Sequence, residues 1–111
     1  MTFEKFYQDV LNALSGAPQV KTLTQEKVNK IKVENGIVYA ATEHSNWDFI
    51  EIRRELFERT FEELQTGKWL SQNYLSKELY VKRSAVIFAI LYLLPFIEYD
   101  GSQNAIRLKK L

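Results

Sequence analysis

Phe3, Phe6, Tyr7, Val10, Leu11 and Leu14 recur three and four residues apart, with Glu4, Lys5, Gln8, Asp9 and Asn12 filling the positions between. That spacing predicts an amphipathic helix, stopped by Gly16 and Pro18, whose aromatic side reads as a core face and not as a cofactor box. The pattern then changes to strict alternation over Lys30–Thr42, KIKVENGIVYAAT, around Asn35–Gly36. Asn-Gly suits the two positive-φ positions of a type I′ turn, so a β-hairpin is expected, with Ile31 and Val33 inward and Ile37, Tyr39 and Ala41 as their partners. Helical periodicity returns from Ile52 to Gln65, where Ile52, Phe57, Phe61 and Leu64 share one side. Asp48 and Glu51 offer a capping-box start, and Thr66–Gly67–Lys68 a stop. The charged residues Arg54, Glu58, Arg59, Glu62 and Glu63 form the solvated side.

Shorter pieces follow. An extended bridge is expected at Lys68–Leu70, a helix over Ser71–Leu79, a turn at Tyr80–Lys82, and a helix from Arg83 to Leu94 ended by Pro95. Two strands, Phe96–Tyr99 and Ile106–Lys109, flank the turn-rich DGSQN. The chain reads as one α+β domain over residues 1–111. Its N-terminal helix and hairpin occupy 1–47, and a helix, short strand, helix, turn, helix, strand, loop, strand series occupies 48–111.

Composition narrows this picture. At 111 residues, with 46% hydrophobic and 26% charged residues, the chain is long enough for one core and too apolar for a disordered polymer. Cysteine is absent, which excludes disulfides and thiolate metal sites. MTFEKFYQDV has no basic region ahead of an apolar block, so it does not read as a signal peptide. The apolar run from Ala85 to Ile97 covers 13 residues, against about 20 for a spanning helix. A cytoplasmic protein with no membrane partner is expected. The net charge of +1 conceals an asymmetry: residues 1–66 carry eight Lys/Arg against eleven Asp/Glu, and residues 67–111 carry seven against three. A polyanion would meet the second part.

The order carried by LSQNYLSKELYVKRSAVIFAILYLLPFIEY and AIRLKKL resembles the winged helix-turn-helix family over residues 52–110. In that resemblance Leu75 and Leu79 face inward from the second helix, Val81 plugs the turn, and Val86 with Ile90 anchors the third helix. The resemblance implies a three-helix core with a β-wing that docks on DNA or protein. Tyr80 departs from it, standing where many such sequences place Gly to accommodate positive φ. The early helix, the strand pair with its NG turn, LFERTFEELQTGKWLSQNYLS and the Lys-Arg-Ser start of the last helix are also similar to winged-helix modules attached to some restriction-type endonucleases. No catalytic residue transfers from them, because the nuclease part of such proteins lies elsewhere.

The last helix decides what docking means. Val86, Ala89, Ile90, Leu93 and Leu94 would meet the core. The opposite side carries Arg83, Ser84, Ile87, Phe88 and Leu91, where a reader of base edges needs Arg, Lys, Asn or Gln. The helix is therefore expected to be a core helix or, through Ile87, Phe88 and Leu91, the face for a protein partner or a homodimer. Phosphate contact fits better, because Lys82, Arg83 and Ser84 sit at a helix N-terminus. Asn73, Lys77, Ser102, Gln103, Asn104, Arg107, Lys109 and Lys110 would extend that surface toward double-stranded DNA, with salt-sensitive affinity.

No catalytic or metal-binding constellation is expected, and no cofactor. The lone His44, in TEHSNWD, reads as a hydrogen-bonded loop histidine. No phosphate loop, HExxH or nucleophile elbow occurs. Glu98 and Asp100 lack a third ligand, and Trp47 and Trp69 read as boundary packing.

Overall fold

Thr2 accepts the Lys5 backbone N–H on its hydroxyl, which starts α1 (Phe3–Ser15); Gly16 caps its end. A computed structural model of the chain, describing residues 1–109, shows where the other elements fall. They are β1 (Gln19–Lys21), β2 (Val28–Glu34), β3 (Ile37–Ala41), β4 (Ile50–Ile52), α2 (Arg54–Leu64), β5 (Leu70–Ser71), α3 (Gln72–Lys77), α4 (Ser84–Leu91), β6 (Ile97–Asp100) and β7 (Ala105–Leu108). The described residues thus form a mixed α/β domain with four helices and two antiparallel sheets. The first sheet has the order β1-β2-β3-β4 and the second β5-β7-β6. A Cα radius of gyration of 13.0 Å matches the roughly 13 Å of a single compact body of this length.

The hairpin forms around Asn35 (φ 51°) and Gly36 (φ 74°), both left-handed as a type I′ turn requires. Its register differs from the expected one. A two-residue turn pairs Glu34 with Ile37, so Ile31 faces Ala40 and Val33 faces Val38. Val38 and Ala40 are therefore buried on one side of β3; on the other side Ile37 and Tyr39 are half-buried and Ala41 is buried as expected, while Val33, expected inward, is 36% exposed. The three-residue strands β1 and β4 enlarge this hairpin into a four-stranded sheet that runs to Ile52. Ile52, expected in a helix, is a β4 residue. α2 begins after Arg53 with no side-chain cap, so Asp48 and Glu51 do not form a capping box.

α1 lies against α2 through rings: Phe6 to Phe61 at 4.8 Å, Tyr7 to Phe57 at 5.7 Å, and Phe3 to Phe61 at 5.8 Å. The Tyr7 hydroxyl donates to the Gly36 carbonyl at 3.0 Å, tying the helix to the hairpin turn. One continuous core joins α1 and both sheets to α4, whose Val86, Ile87, Phe88, Ala89, Ile90 and Leu91 are all buried. Only a helix packed on every side can be apolar all round. α4 is accordingly the central helix of the domain, contacting α1, α3 and β1.

Candidate nucleic-acid interface

The short helices α3 and α4 are joined by residues 78–83, and Leu75 and Val81 bury completely beneath them. Tyr80 adopts the left-handed φ of 53° itself, and the next N–H, on Val81, closes onto the Leu75 carbonyl at 3.0 Å. Tyr80 is left 76% exposed, so a non-glycine residue serves this turn by pointing into solvent. Asn73 and Lys77 on α3 are exposed, as is Lys82 in the turn, and neither lysine forms an ion pair with a described residue. Below Tyr80 and Lys82 a shallow hollow of about 470 Å³ is walled by Gln72 and Ser76.

Arg83 and Ser84 do not belong to this exposed set. Arg83, also left-handed at φ 66°, turns its guanidinium toward the first sheet and donates to the carbonyls of Ile50 (3.2 Å) and Ala40 (3.5 Å). It joins the sheet to the start of α4, and burial lowers its pKa below the usual guanidinium range. Ser84 is only 6% exposed. The sheet lies beside this helix end, so both residues expected to hold phosphate are drawn inward.

The wing is also committed to internal bonds. Asn104 donates to the Gln72 side chain at 3.1 Å and accepts from the Tyr99 hydroxyl at 3.1 Å. Its carbonyl receives the Gln72 N–H at 2.9 Å, which fastens the wing tip to the start of α3. The Asp100 carboxylate accepts from the Ser102 N–H and hydroxyl and from the Gln103 amide. Those bonds to Ser102 and Gln103 lower its pKa, because they favour the charged form. The tip therefore presents an anion where a phosphate contact was expected. Arg107 pairs with Glu98 and lies 4.2 Å from the centre of the Trp69 ring. Lys109 is exposed, but it sits at the far end of β7, its N–H on the Phe96 carbonyl, about 16 Å of extended strand from Asn104. Lys110 lies outside the described residues.

Of the eleven nucleic-acid candidates, the structure leaves Asn73, Lys77 and Lys82 together around the α3–α4 turn. Ser84 is buried, Arg83, Ser102, Gln103, Asn104 and Arg107 are engaged internally, Lys109 stands apart, and Lys110 is outside the described residues. The alternative face fares differently again: Ile87, Phe88 and Leu91, expected to face a partner or second copy, are each fully buried by the chain's own residues. His44 is exposed and its side chain bonds to no described residue, unlike the hydrogen-bonded histidine expected of that loop. Among the described residues no group of three or more His, Asp or Glu is placed to hold a metal ion, and no helix is long and apolar enough to cross a membrane.

Trp47, expected as boundary packing, is 42% exposed and borders a cavity that nothing in the sequence pattern indicated. Thr42 accepts the Ser45 and Trp47 N–H groups, and Asn46 and Trp47 both turn left-handed, which swings the indole outward near Lys30. TEHSNWD is dense in turn-forming residues, and this was its only signal. Compared with known proteins, the chain matches no family model, no curated protein and no solved structure.

Proposed function

We propose that this chain is a non-catalytic winged-helix module that docks on the phosphate backbone of double-stranded DNA through the corner between α3 and α4. The observation that carries the reading is topological. α2, β5, α3, α4, β6 and β7 follow one another with the second sheet ordered β5-β7-β6, the arrangement of a three-helix core with a β-wing. In such folds the turn before the last helix meets the nucleic acid, and here Asn73, Lys77 and Lys82 are the exposed groups at that turn.

The mode of contact is narrower than base reading. α4 is buried along its length and its first turn is drawn against the first sheet, so the helix does not enter a groove. Two lysines on phosphates give weak, sequence-independent binding whose strength falls with salt. For two phosphate contacts, affinity falls about twelvefold between about 50 and 200 mM salt. The endonuclease-associated modules belong to the same reading, with this chain as a positioning part. Fluorescence anisotropy of a labelled duplex tests it: Lys77→Ala combined with Lys82→Ala should lower the log–log salt slope by about 1.8 while leaving the circular dichroism unchanged. An unchanged slope in the folded double variant refutes the reading.

A further inference from the structure

A cavity of about 950 Å³ lies between the first sheet and the start of α4, and nothing in the proposed docking uses it. Val28, Ile50, Ala85 and Val86 supply an apolar wall, and Trp47 borders it with its ring 42% exposed as a residue. Pockets of this size and character accommodate small organic molecules, with a few polar groups setting orientation.

Those polar groups are Arg83 and Asn29. Arg83 has five N–H donors, two of which serve the Ile50 and Ala40 carbonyls, and no described carboxylate pairs with it. A half-buried guanidinium with spare donors has an unmet demand for an anion, and its planar fork matches a carboxylate. Asn29 is 3% exposed and donates its amide to the Lys27 carbonyl at 3.4 Å, while its side-chain oxygen accepts from no described donor. No buried side-chain polar atom among the described residues is sealed from solvent without a partner. That oxygen therefore opens onto the cavity that Asn29 lines, where it can accept a hydrogen bond. Lys27, Arg83 and Glu43 line the same cavity, two cations against one anion, so the fixed charges there favour an anion.

The geometry points to a binding site for a small aromatic carboxylate that also carries a hydrogen-bond donor. Its carboxylate meets Arg83, its flat body packs between Trp47 and the Val28–Ile50–Val86 wall, and its donor reaches Asn29. The site does not depend on nucleic-acid docking, since Lys77 lies outside it and Lys82 does not line it.

Indoleacetate, which has the carboxylate, the flat body and the N–H, is the probe, titrated into the isotope-labelled full chain. Saturable shifts at the Trp47 indole N–H, the Arg83 side chain and the amides of residues 42–47 are expected. Indoleacetamide, which lacks the charge, should bind at least about tenfold more weakly, and naphthaleneacetate, which lacks the N–H, about fivefold more weakly. Arg83→Gln would also loosen the sheet, so the deciding variant is Ile50→Glu. It sets a carboxylate on a half-exposed part of the wall, leaves the backbone carbonyl that Arg83 uses, and should abolish binding. Absent shifts at these residues, equal affinity for indoleacetamide, or undiminished binding by folded Ile50→Glu each overturns the assignment.

Discussion

Replacing Leu91 by Ala measures how far α4 belongs to the core. Leu91 is fully buried on the side of the helix opposite Val86 and Ala89, the side that a solvent-facing recognition helix would expose. Truncation removes the transfer free energy of the lost methyl-bearing carbons and leaves a cavity, a combined cost of about 2–5 kcal/mol. Leu93, two residues on and 42% exposed, is the internal control; Leu93→Ala should cost within about 0.5 kcal/mol. For a small domain a urea m value is about 1–3 kcal/mol/M, so a loss of about 3 kcal/mol lowers the midpoint by about 1–3 M. Urea titrations followed by tryptophan fluorescence, with far-UV circular dichroism to check coincident transitions, read the difference directly. Equal midpoints for Leu91→Ala and Leu93→Ala would refute the burial of this face. They would also reopen α4 as a surface for nucleic acid or protein.

Other outcomes follow from particular contacts. Gly36→Ala meets no atom within 4 Å but forces a side chain into φ +74°, so it should destabilise by about 1–2 kcal/mol through backbone strain alone, read by thermal melts. Burial raises the Tyr7 pKa above 10.0, with Arg54 opposing and Glu51 adding to the shift. The folded state thus holds this proton more tightly than the unfolded one; its contribution is fully present below pH 10.0 and is lost as pH rises through the folded value. Tyr7→Phe should flatten that alkaline loss in denaturation curves, and an unchanged curve contradicts the assignment. Asp100 should titrate below its ordinary 3.8 by carboxyl NMR, with its stabilising effect present above that value and lost as pH falls through the lower folded one. Ser102→Ala, which removes one of its donors, should move the titration back up.

Much of the architecture was legible because local rules and tertiary packing agree. The stripe from Phe3 to Leu14 became the buried face of α1, Asn35–Gly36 made its turn, and the pieces after Gly67 fell close to their expected places. β1 and β4 were not legible, since three residues carry too little alternation to separate a strand from a loop. The hairpin parity was recoverable in principle: a two-residue turn fixes the pairing by counting, and the pair Val38 and Ala40 then shares one side, with the expected Ala41 buried on the other. The candidate site was read less well for a physical reason. Sequence shows which side chains have charge or donors but not which partners tertiary folding brings them. Arg83 finds two carbonyls 33 and 43 residues away, Asn104 finds Gln72, and Arg107 finds Glu98 and Trp69. Lys77 and Lys82 escaped this because their turn faces solvent, with Val81 beneath it as the inward plug.

The central claim, DNA docking by the α3–α4 corner, is met most directly by titrating isotope-labelled protein with a short duplex at low and then moderate salt, following each amide. Shifts are expected at Asn73, Lys77, Tyr80 and Lys82 that diminish as salt rises, with Ile87, Phe88 and Leu91 unmoved inside the core. Silence at these four residues in the folded protein at low salt would contradict it, as would shifts centred elsewhere on the domain.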